Sequence, residues 1–459
     1  MLEKLKQLFA QVDMTEGRPW EKIVVFTIPM LIGNIAQQLY NTVDSIVVGR
    51  YVGDNALAAV GSASPILNLL LVLFVGISMG ASIMVSQYFG SRDRENLSRT
   101  IGSTITLTAA ATLFLMVFCS VLIRPVLHML NTPDSILDWC ASYLLIWLMG
   151  IGGSAYYNIL CGVLRGLGDS LSALVYLLVA TVLNIILDVW FVTGLRLGVA
   201  GVALATVIAQ MVSAVLCFLK LRRMTHLFDM EMKYIKPHRE NIMTVMRLGL
   251  PSGVTQAIFS LAMVIVQSLT NSFGEMVIAA NVIIMRVDGF AMMPNFSFGT
   301  AMTTYAGQNV GARKLDRVKE GARQGTFIAA GTSAVITALI LLFGRNLMAI
   351  FTNTSELVIL SADMMSILAA GYIAMAVTQS LSGVMRGAGD TVTPMWISMV
   401  TTVAIRVPLA YGIAWATRTP ELPQGRYQCI WISLLISWVL GAALTVFCYR
   451  LGKWKKKIL

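Results

Sequence analysis

Charged residues are scarce in this sequence. Asp, Glu, Lys and Arg make up 12% of its 459 residues, while 57% are hydrophobic and the mean hydropathy is +0.75. Soluble domains carry roughly 25% charged residues, so a water-exposed surface over the whole chain is excluded. Because a lipid-embedded backbone must satisfy its own hydrogen bonds, the composition predicts an all-α polytopic membrane protein.

Histidine and cysteine are also rare, with three and six residues. The histidines fall in predicted loops or span ends, which excludes a histidine-based metal or catalytic centre inside the membrane. The cysteines show no C-x-x-C spacing and are expected to be packing residues. No G-x-x-x-x-G-K-[ST] phosphate loop occurs, so direct ATP drive is excluded. We expect no cofactor and predict that the chain is not an enzyme.

Long apolar segments fill the rest of the chain. At about 20 apolar residues per crossing, they predict twelve transmembrane helices. The predicted spans are 24–49, 57–88, 100–123, 138–163, 171–193, 198–221, 245–272, 278–306, 322–344, 357–384, 392–416 and 427–450.

Two sequence signatures recur 221 residues apart. The segment 162–170 (GVLRGLGDS) matches 383–391 (GVMRGAGDT), and Q-x-x-G-x-R at 87–92 matches 308–313. Both matches indicate a duplicated six-span unit, the usual construction of secondary transporters. We therefore predict two pseudo-symmetric lobes related by an axis along the membrane normal. Their expected bounds are 1–221 and 243–459, joined by a cytoplasmic linker at 222–242.

The net charge of +11 follows the predicted topology. Of the 34 Lys and Arg residues, 26 flank one side of the predicted spans, 6 flank the other, and Arg286 and Arg406 lie within spans. By the positive-inside rule both termini are cytoplasmic. The charge therefore indicates contact with membrane lipid at the linker and no nucleic-acid partner.

Intramembrane carboxylates mark the best candidate site, because an acid at bilayer depth is costly. Asp44 lies on span 1, and Asp188 follows Asn184 by one turn on span 5. Thr206 lies at similar depth on span 6. Such oxygen ligands suit a small hard cation or a shared proton. We predict a cation-coupling site for H⁺ or Na⁺ at Asp44, Asn184, Asp188 and Thr206.

The duplication provides an internal comparison for this site. At the 221-residue offset, Asp44, Asn184 and Asp188 correspond to Ile265, Ile405 and Leu409, so folding of a repeat does not require the acidic pair. Gln37 and Tyr40 share the helical face of the span-1 carboxylate. We predict that both line the same cavity.

The second half carries its own intramembrane charges. Arg286 and Asp288 lie on span 8 and Arg406 on span 11. An Asp288–Arg406 pair across helices could be structural or could contact substrate, and both interpretations stay open. Met285 and Met292 would supply an adaptable apolar wall to a substrate cavity.

These features together resemble the multidrug and toxic compound extrusion (MATE) transporters, in particular their prokaryotic DinF-like branch. The resemblance covers the whole chain. It rests on the twelve-span duplication, the paired R-G-x-G-D loops, and the residues Pro29, Asp44, Asn184, Asp188 and Thr206.

The resemblance implies a V-shaped exporter of a prokaryotic inner membrane, which exchanges small lipophilic, often cationic compounds for H⁺ or Na⁺. It assigns the cation site to the four residues already predicted and adds Gln37, Tyr143 and Asn158 to the cavity. Pro29 matches a proline at which span 1 bends in the family, which makes it a candidate hinge. A static kink is the alternative, since Pro251 occupies the related place in the other repeat. No acid occurs between Pro251 and Ser268, where the NorM-like branch carries one. We expect a monomer.

Two other functions remain open from the sequence. A lipid or lipid-linked oligosaccharide flippase of the same superfamily would need a long cationic groove, for which only Arg286 and Arg406 are available within spans. A polytopic membrane enzyme would need a clustered catalytic motif near a membrane surface. For the R-G-x-G-D loops, glycine turns and helix capping by Asp169 and Asp390 are the simpler expectation, with an intracellular gate as the alternative.

Overall fold

The computed structural model describes residues 11–129, 132–231 and 233–456, without the side chains at positions 44, 45, 54, 57, 453 and 456. This part of the chain is helical and contains no strand. Its α-helices are α1 (Pro19–Tyr51), α2 (Asp54–Ser91), α3 (Arg94–Met129), α4 (Asp134–Met149), α5 (Ile151–Gly166), α6 (Ser170–Val189), α7 (Gly198–Arg222), α8 (Arg239–Asn271), α9 (Glu275–Gly311), α10 (Leu315–Ala349), α11 (Ser355–Ala369), α12 (Gly371–Gly387), α13 (Val392–Ser398), α14 (Val407–Ala416) and α15 (Cys429–Leu451).

Ten spans of the described chain, one of them made of α13, α14 and the π-helical turns between them, are long and apolar enough to cross a membrane. Two further pairs of helices, α4 with α5 and α11 with α12, are long and apolar enough only when each pair is taken together. The helices of these pairs are bent relative to each other by 51° and 44°. If each pair is one span, the count reaches twelve. The predicted all-α polytopic membrane fold is confirmed, and predicted spans 4 and 10 are each broken near their middle. The breaks adjoin Gly150 and Gly371, which are equivalent in the two repeats.

The repeated R-G-x-G-D loops form the same turn twice. Gly168 and Gly389 adopt φ of 87° and 96°, a left-handed conformation that glycine adopts at little cost. The next residue then holds the N-terminus of the following helix. Asp169 accepts the backbone N–H of Ser172 at 2.9 Å, and Asp390 accepts that of Thr393 at 3.3 Å. The predicted capping role is confirmed.

Two π-helical segments interrupt the regular helices. Trp190–Gly194 follows α6, and Met399–Arg406 lies between α13 and α14. Pro408 accounts for the second, because it lacks an N–H for the carbonyl four residues earlier and its ring crowds that carbonyl. A wider helical turn relieves the conflict, and such turns are frequent at functional sites. Arg406 ends this segment.

The contacts divide the chain into two compact units. Unit 1 contains the described residues up to Asp13 and Ile28–Gly253, and unit 2 contains Met14–Thr27 and the chain from Val254 onward. The division falls inside α1 and α8, next to Pro29 and Pro251, each of which removes one helical hydrogen bond. Each unit has its own apolar core.

The unit boundaries differ from the predicted lobe boundaries at two segments. Residues 14–27 group with the second half and residues 222–253 with the first. Hydrogen bonds account for the first exchange, since Met14 donates its N–H to Gln308 at 2.9 Å and accepts from Asn309 at 3.0 Å, within unit 2.

The predicted linker packs within unit 1. Arg94, at the start of α3, makes a two-pronged ion pair with Asp229 at 2.7 and 3.0 Å. Asp229 also donates its N–H to Ser98 at 2.8 Å, and Asn241 donates to Thr100 at 2.9 Å. The Arg94 guanidinium, hydrogen-bonded to Asp229, lowers the pKa of that carboxyl from its ordinary value.

Glycines permit a backbone-to-backbone contact between α2 and α8 in unit 1. A Cβ on Gly80 would overlap the carbonyl oxygen of Val245, and one on Gly249 would overlap that of Gly76. Small residues spaced by four let membrane helices approach closely. This contact holds the first part of α8 in unit 1.

Candidate functional site

Asp188 and Asn184 lie one turn apart on α6, and the side chains of both are fully buried. The Asn184 amide points its nitrogen toward the carboxylate, since the reverse orientation would place oxygen against oxygen. It then donates to Asp188 Oδ2 at 3.0 Å and accepts the backbone N–H of Thr206 at 3.3 Å. The predicted pair on span 5 therefore meets span 6.

Thr206 also connects this pair with α1. Its hydroxyl accepts a hydrogen bond from the Tyr40 hydroxyl at 3.3 Å, and one amide atom of Asn184 lies 3.4 Å from the same oxygen. Tyr40 is 7% exposed. Three helices thus contribute to one connected set, which we call the polar cluster: Tyr40, Asn184, Asp188 and Thr206.

The side chain of Asp44 lies outside the described residues. Its backbone is part of α1, four positions after Tyr40 and therefore on the same helical face. Within the described chain, no three His, Cys, Asp or Glu side chains converge as metal ligands. Among the described residues, the other oxygen ligands near Asp188 are hydroxyl, amide and backbone oxygens.

A cavity of about 510 Å³ adjoins the polar cluster inside unit 1. Five predicted residues line it: Gln37, Tyr40, Tyr143, Asn158 and Thr206. Asn68, Gln210 and Tyr157 also line it, although the sequence did not single them out. These three residues are neutral polar side chains within apolar spans. That pattern could have indicated a cavity, but ionisable residues alone do not identify it. The described lining carries no Asp, Glu, Lys or Arg, so a molecule in the cavity would contact amides, hydroxyls and aromatic rings.

A second cavity of about 240 Å³ in unit 1 shares Gln37, Tyr157 and Asn158 with the first. Pro29, the predicted hinge, lines it. So does Arg165 from the repeated loop, which donates to Ser78 at 3.4 Å. The two cavities thus share three polar residues.

The predicted residues of the second half all belong to unit 2. Asp288 accepts a 2.8 Å hydrogen bond from Tyr372, and no direct Asp288–Arg406 ion pair within 4.0 Å occurs among the described residues. The Tyr372 hydroxyl of α12 is thus a hydrogen-bond donor to this carboxylate. Met292 packs in the apolar core and Met285 is half-buried, whereas Arg286 is exposed.

Comparison with known proteins agrees with the duplicated architecture. A family model described as MatE matches the chain twice, at residues 29–190 and 251–412, which together exceed half of its length. Fold and site define an integral membrane transporter built from two repeats. The chain belongs to the MatE family, and the predicted family is confirmed.

Two curated relatives and two solved structures illustrate the similarity. The chain is 28% identical over 455 residues to the probable multidrug resistance protein YoeA of Bacillus subtilis (strain 168), covering 97% of each chain. It is 26% identical over 335 residues to the DNA damage-inducible protein F of Escherichia coli (strain K12), covering 72% of each. A crystal structure of MATE in the straight conformation aligns with a TM-score of 0.89 at 24% identity, over 97% of this chain and 98% of that one. A MOP superfamily transporter from Pyrococcus furiosus Vc1 (DSM3638) aligns with a TM-score of 0.88 at 23% identity, over 96% and 97%.

Proposed function

We propose that the chain is a secondary active multidrug exporter, which exchanges small lipophilic, cationic compounds for H⁺ or Na⁺ by alternating access. It would act as a monomer in the inner membrane of a prokaryote, with both termini cytoplasmic. The names of its relatives support the cargo class, since YoeA is a probable multidrug resistance protein. The main support is the position of buried Asp188 in the polar cluster, beside a cavity of about 510 Å³.

The coupling step rests on the charge of that carboxylate. With Asp188 ionised, the cavity beside the polar cluster favours a cationic cargo. Binding of H⁺ or Na⁺ neutralises the site and weakens the attraction, so cargo and coupling ion bind alternately. One charge crossing 100 mV supplies about 2.3 kcal/mol, and each tenfold cargo gradient costs about 1.4 kcal/mol. For a neutral cargo one coupling ion is therefore sufficient for an export gradient above tenfold. One-for-one exchange with a monovalent cationic cargo moves no net charge, so it must be driven by the concentration gradient of the ion or by a second coupling ion.

The Asn184 amide would respond differently to the two ions. In the orientation assigned from its hydrogen bonds, its N–H groups face an ionised Asp188. A bound Na⁺ would require the amide to rotate and present its oxygen, whereas a proton on the carboxyl would require no rotation. The choice between H⁺ and Na⁺ therefore rests on the gradient experiment.

The hinge and the lobes complete the proposal. Pro29 would let α1 bend where the chain passes from unit 2 to unit 1. The two repeats, with residues 222–242 as cytoplasmic linker, would then rock during transport. A flippase receives less support, because the described lining of the large cavity carries no basic side chain.

The test is ethidium efflux from proteoliposomes under an imposed proton gradient and, separately, an imposed sodium gradient. We expect one gradient to drive efflux in the wild type, and Asp188→Asn and Asp44→Asn to abolish it. Asp363→Asn is the control, since this acid is exposed in unit 2. Full gradient-driven efflux by Asp188→Asn would contradict the coupling site. Movement of a fluorescent phospholipid without ethidium efflux would favour the flippase.

A further inference from the structure

Unit 2 contains a small polar cavity that the proposed coupling mechanism does not use. It lies among α8, α12, α13, the following π-helical segment and α15, and its volume is about 40 Å³. A single water needs about 10 to 15 Å³ on this measure, so the cavity accommodates roughly three heavy atoms. That is the size of a carboxylate group.

Arg386 lines this cavity near the end of α12. Its Nε is buried and has no hydrogen-bond partner among the described residues. A buried charge is costly unless it is paired. The described lining includes no Asp or Glu, so the protein provides no carboxylate there to pair with it. The guanidinium also presents several donors in a planar fork, which matches an oxyanion.

The equivalent arginine of the first repeat does have a partner. Arg165 donates to the hydroxyl of Ser78 at 3.4 Å. At the 221-residue offset, Ser78 corresponds to Gly299, which has no side chain to accept a bond. The second repeat therefore keeps the arginine and loses its internal acceptor.

The second repeat has also gained hydroxyl groups around the arginine. Ser382, Ser398 and Ser437 line the cavity. Their equivalents in the first repeat are Cys161, Leu177 and Leu216. Neither capping nor span formation requires these hydroxyls, because the first repeat folds without them. Ser437 donates its hydroxyl to the Thr401 carbonyl at 2.8 Å, so Ser382 and Ser398 are the hydroxyls that add neutral donors beside the guanidinium. A guanidinium with neutral donors beside it is the composition of an anion site.

From these observations we propose that unit 2 holds an oxyanion-binding site centred on Arg386, which takes one carboxylate or phosphate group. The oxyanion would come from an acidic or zwitterionic small molecule or from the headgroup of an anionic lipid. The site is distinct from the polar cluster of unit 1. It does not depend on the identity of the coupling ion.

Binding of formate to the purified full-length protein tests the site, because formate has the three heavy atoms that the cavity accommodates. Its neutral isostere formamide is the control ligand, and the midpoint of thermal unfolding is measured as each is titrated, at constant ionic strength, into phosphatidylcholine nanodiscs. We expect formate alone to raise the midpoint, and Arg386→Gln to weaken its apparent affinity at least tenfold. Arg165→Gln is the matched control variant and should bind formate as the wild type does.

Ser382→Ala covers the case in which Arg386→Gln does not fold, because Cys161 shows that this position tolerates a side chain without a hydroxyl. It should weaken formate binding at least twofold. Nanodiscs containing phosphatidylglycerol distinguish the sources, since a lipid headgroup in the site would compete with formate only when Arg386 is present. Equal effects of formate and formamide, or unchanged formate affinity in both variants, would overturn the proposal.

Discussion

The Asn184 amide donates to Asp188 Oδ2 at 3.0 Å while accepting the backbone N–H of Thr206 at 3.3 Å. One side chain thereby ties the carboxylate of α6 to the backbone of α7. Because the Tyr40 hydroxyl reaches Thr206 from α1, a change in the charge of Asp188 acts on three helices. Small changes in this cluster should therefore alter ion coupling more than folding.

Thr206→Val should weaken binding of the coupling ion without unfolding the protein. Valine keeps the shape of threonine but removes the hydroxyl that accepts from Tyr40. Losing one such hydrogen bond costs about 1 kcal/mol, so the ion concentration for half-maximal ethidium efflux should rise about fivefold. Thr206→Ser keeps the hydroxyl and should behave as the wild type.

A double-mutant cycle checks the same contact. Tyr40→Phe alone should also weaken binding of the coupling ion. In the Thr206→Val background it should change that binding little further, because the two side chains share one hydrogen bond. Fully additive effects on half-maximal efflux would show that Tyr40 acts independently of Thr206.

Substitution of Asp169 should separate capping from charge pairing. Asp169 is 2% exposed, caps α6 through Ser172 and lies 3.3 Å from the Lys220 ammonium. Asp169→Ala removes both interactions, whereas Asp169→Ser keeps a capping oxygen. We expect thermal unfolding in detergent to place the alanine variant about 1 kcal/mol below the serine variant. Lys220→Met should restore part of the loss in the alanine variant, because it removes a partly buried charge that has lost the Asp169 carboxylate.

Two glycines of α2 should respond in opposite directions to alanine. A Cβ on Gly80 would overlap the carbonyl oxygen of Val245, whereas nothing lies within 4 Å of a Cβ on Gly61. Gly80→Ala should destabilise the protein by about 2 to 3 kcal/mol, since backbone atoms cannot rotate away. Gly61→Ala should stabilise it by about 1 kcal/mol through helix propensity. Equal unfolding temperatures would show that α2 and α8 do not pack this closely.

The linker should stay attached throughout the pH range of transport assays. The pKa of Asp229 is lowered by Arg94, so the stability that this ion pair gives to the linker is fully present above the ordinary carboxyl pKa. The contribution is lost only as the pH falls through the lower, folded value. Hydrogen exchange of residues 225–231, corrected for intrinsic rates, should be unchanged between pH 8 and pH 5. Arg94→Gln should raise exchange over that whole range. Loss of wild-type protection between pH 7 and pH 5 would contradict this assignment.

Much of the fold was accessible from the sequence because it depends on local rules. Apolar length predicts the spans, and the 221-residue repeat predicts that each feature occurs twice. Asp169 and Asp390 follow glycines just before apolar segments, which is sufficient to predict their capping. The proximity of Asn184, Asp188 and Thr206 followed from similar depth on adjacent spans.

Features that depend on packing between distant segments were not accessible. The exchange of residues 14–27 and 222–253 between the units depends on side chains such as Gln308 and Ser98, whose partners no periodicity identifies. Gln210 and Asn68 carry no charge, so only the cavity shows their place. The sequence predicts only a turn position for Arg386. Its cavity, and the lack of a side-chain acceptor at Gly299, acquire meaning only in the folded structure.

The hydrogen bond between Met14 and Gln308 joins residues 294 positions apart within unit 2. During synthesis, the segment that begins α1 therefore leaves the ribosome long before its acceptor exists. It cannot form this hydrogen bond until most of the protein has been synthesised. Unit 2 then completes its fold by binding a segment synthesised much earlier, and separately expressed halves cut at the linker would each lack a segment carried by the other.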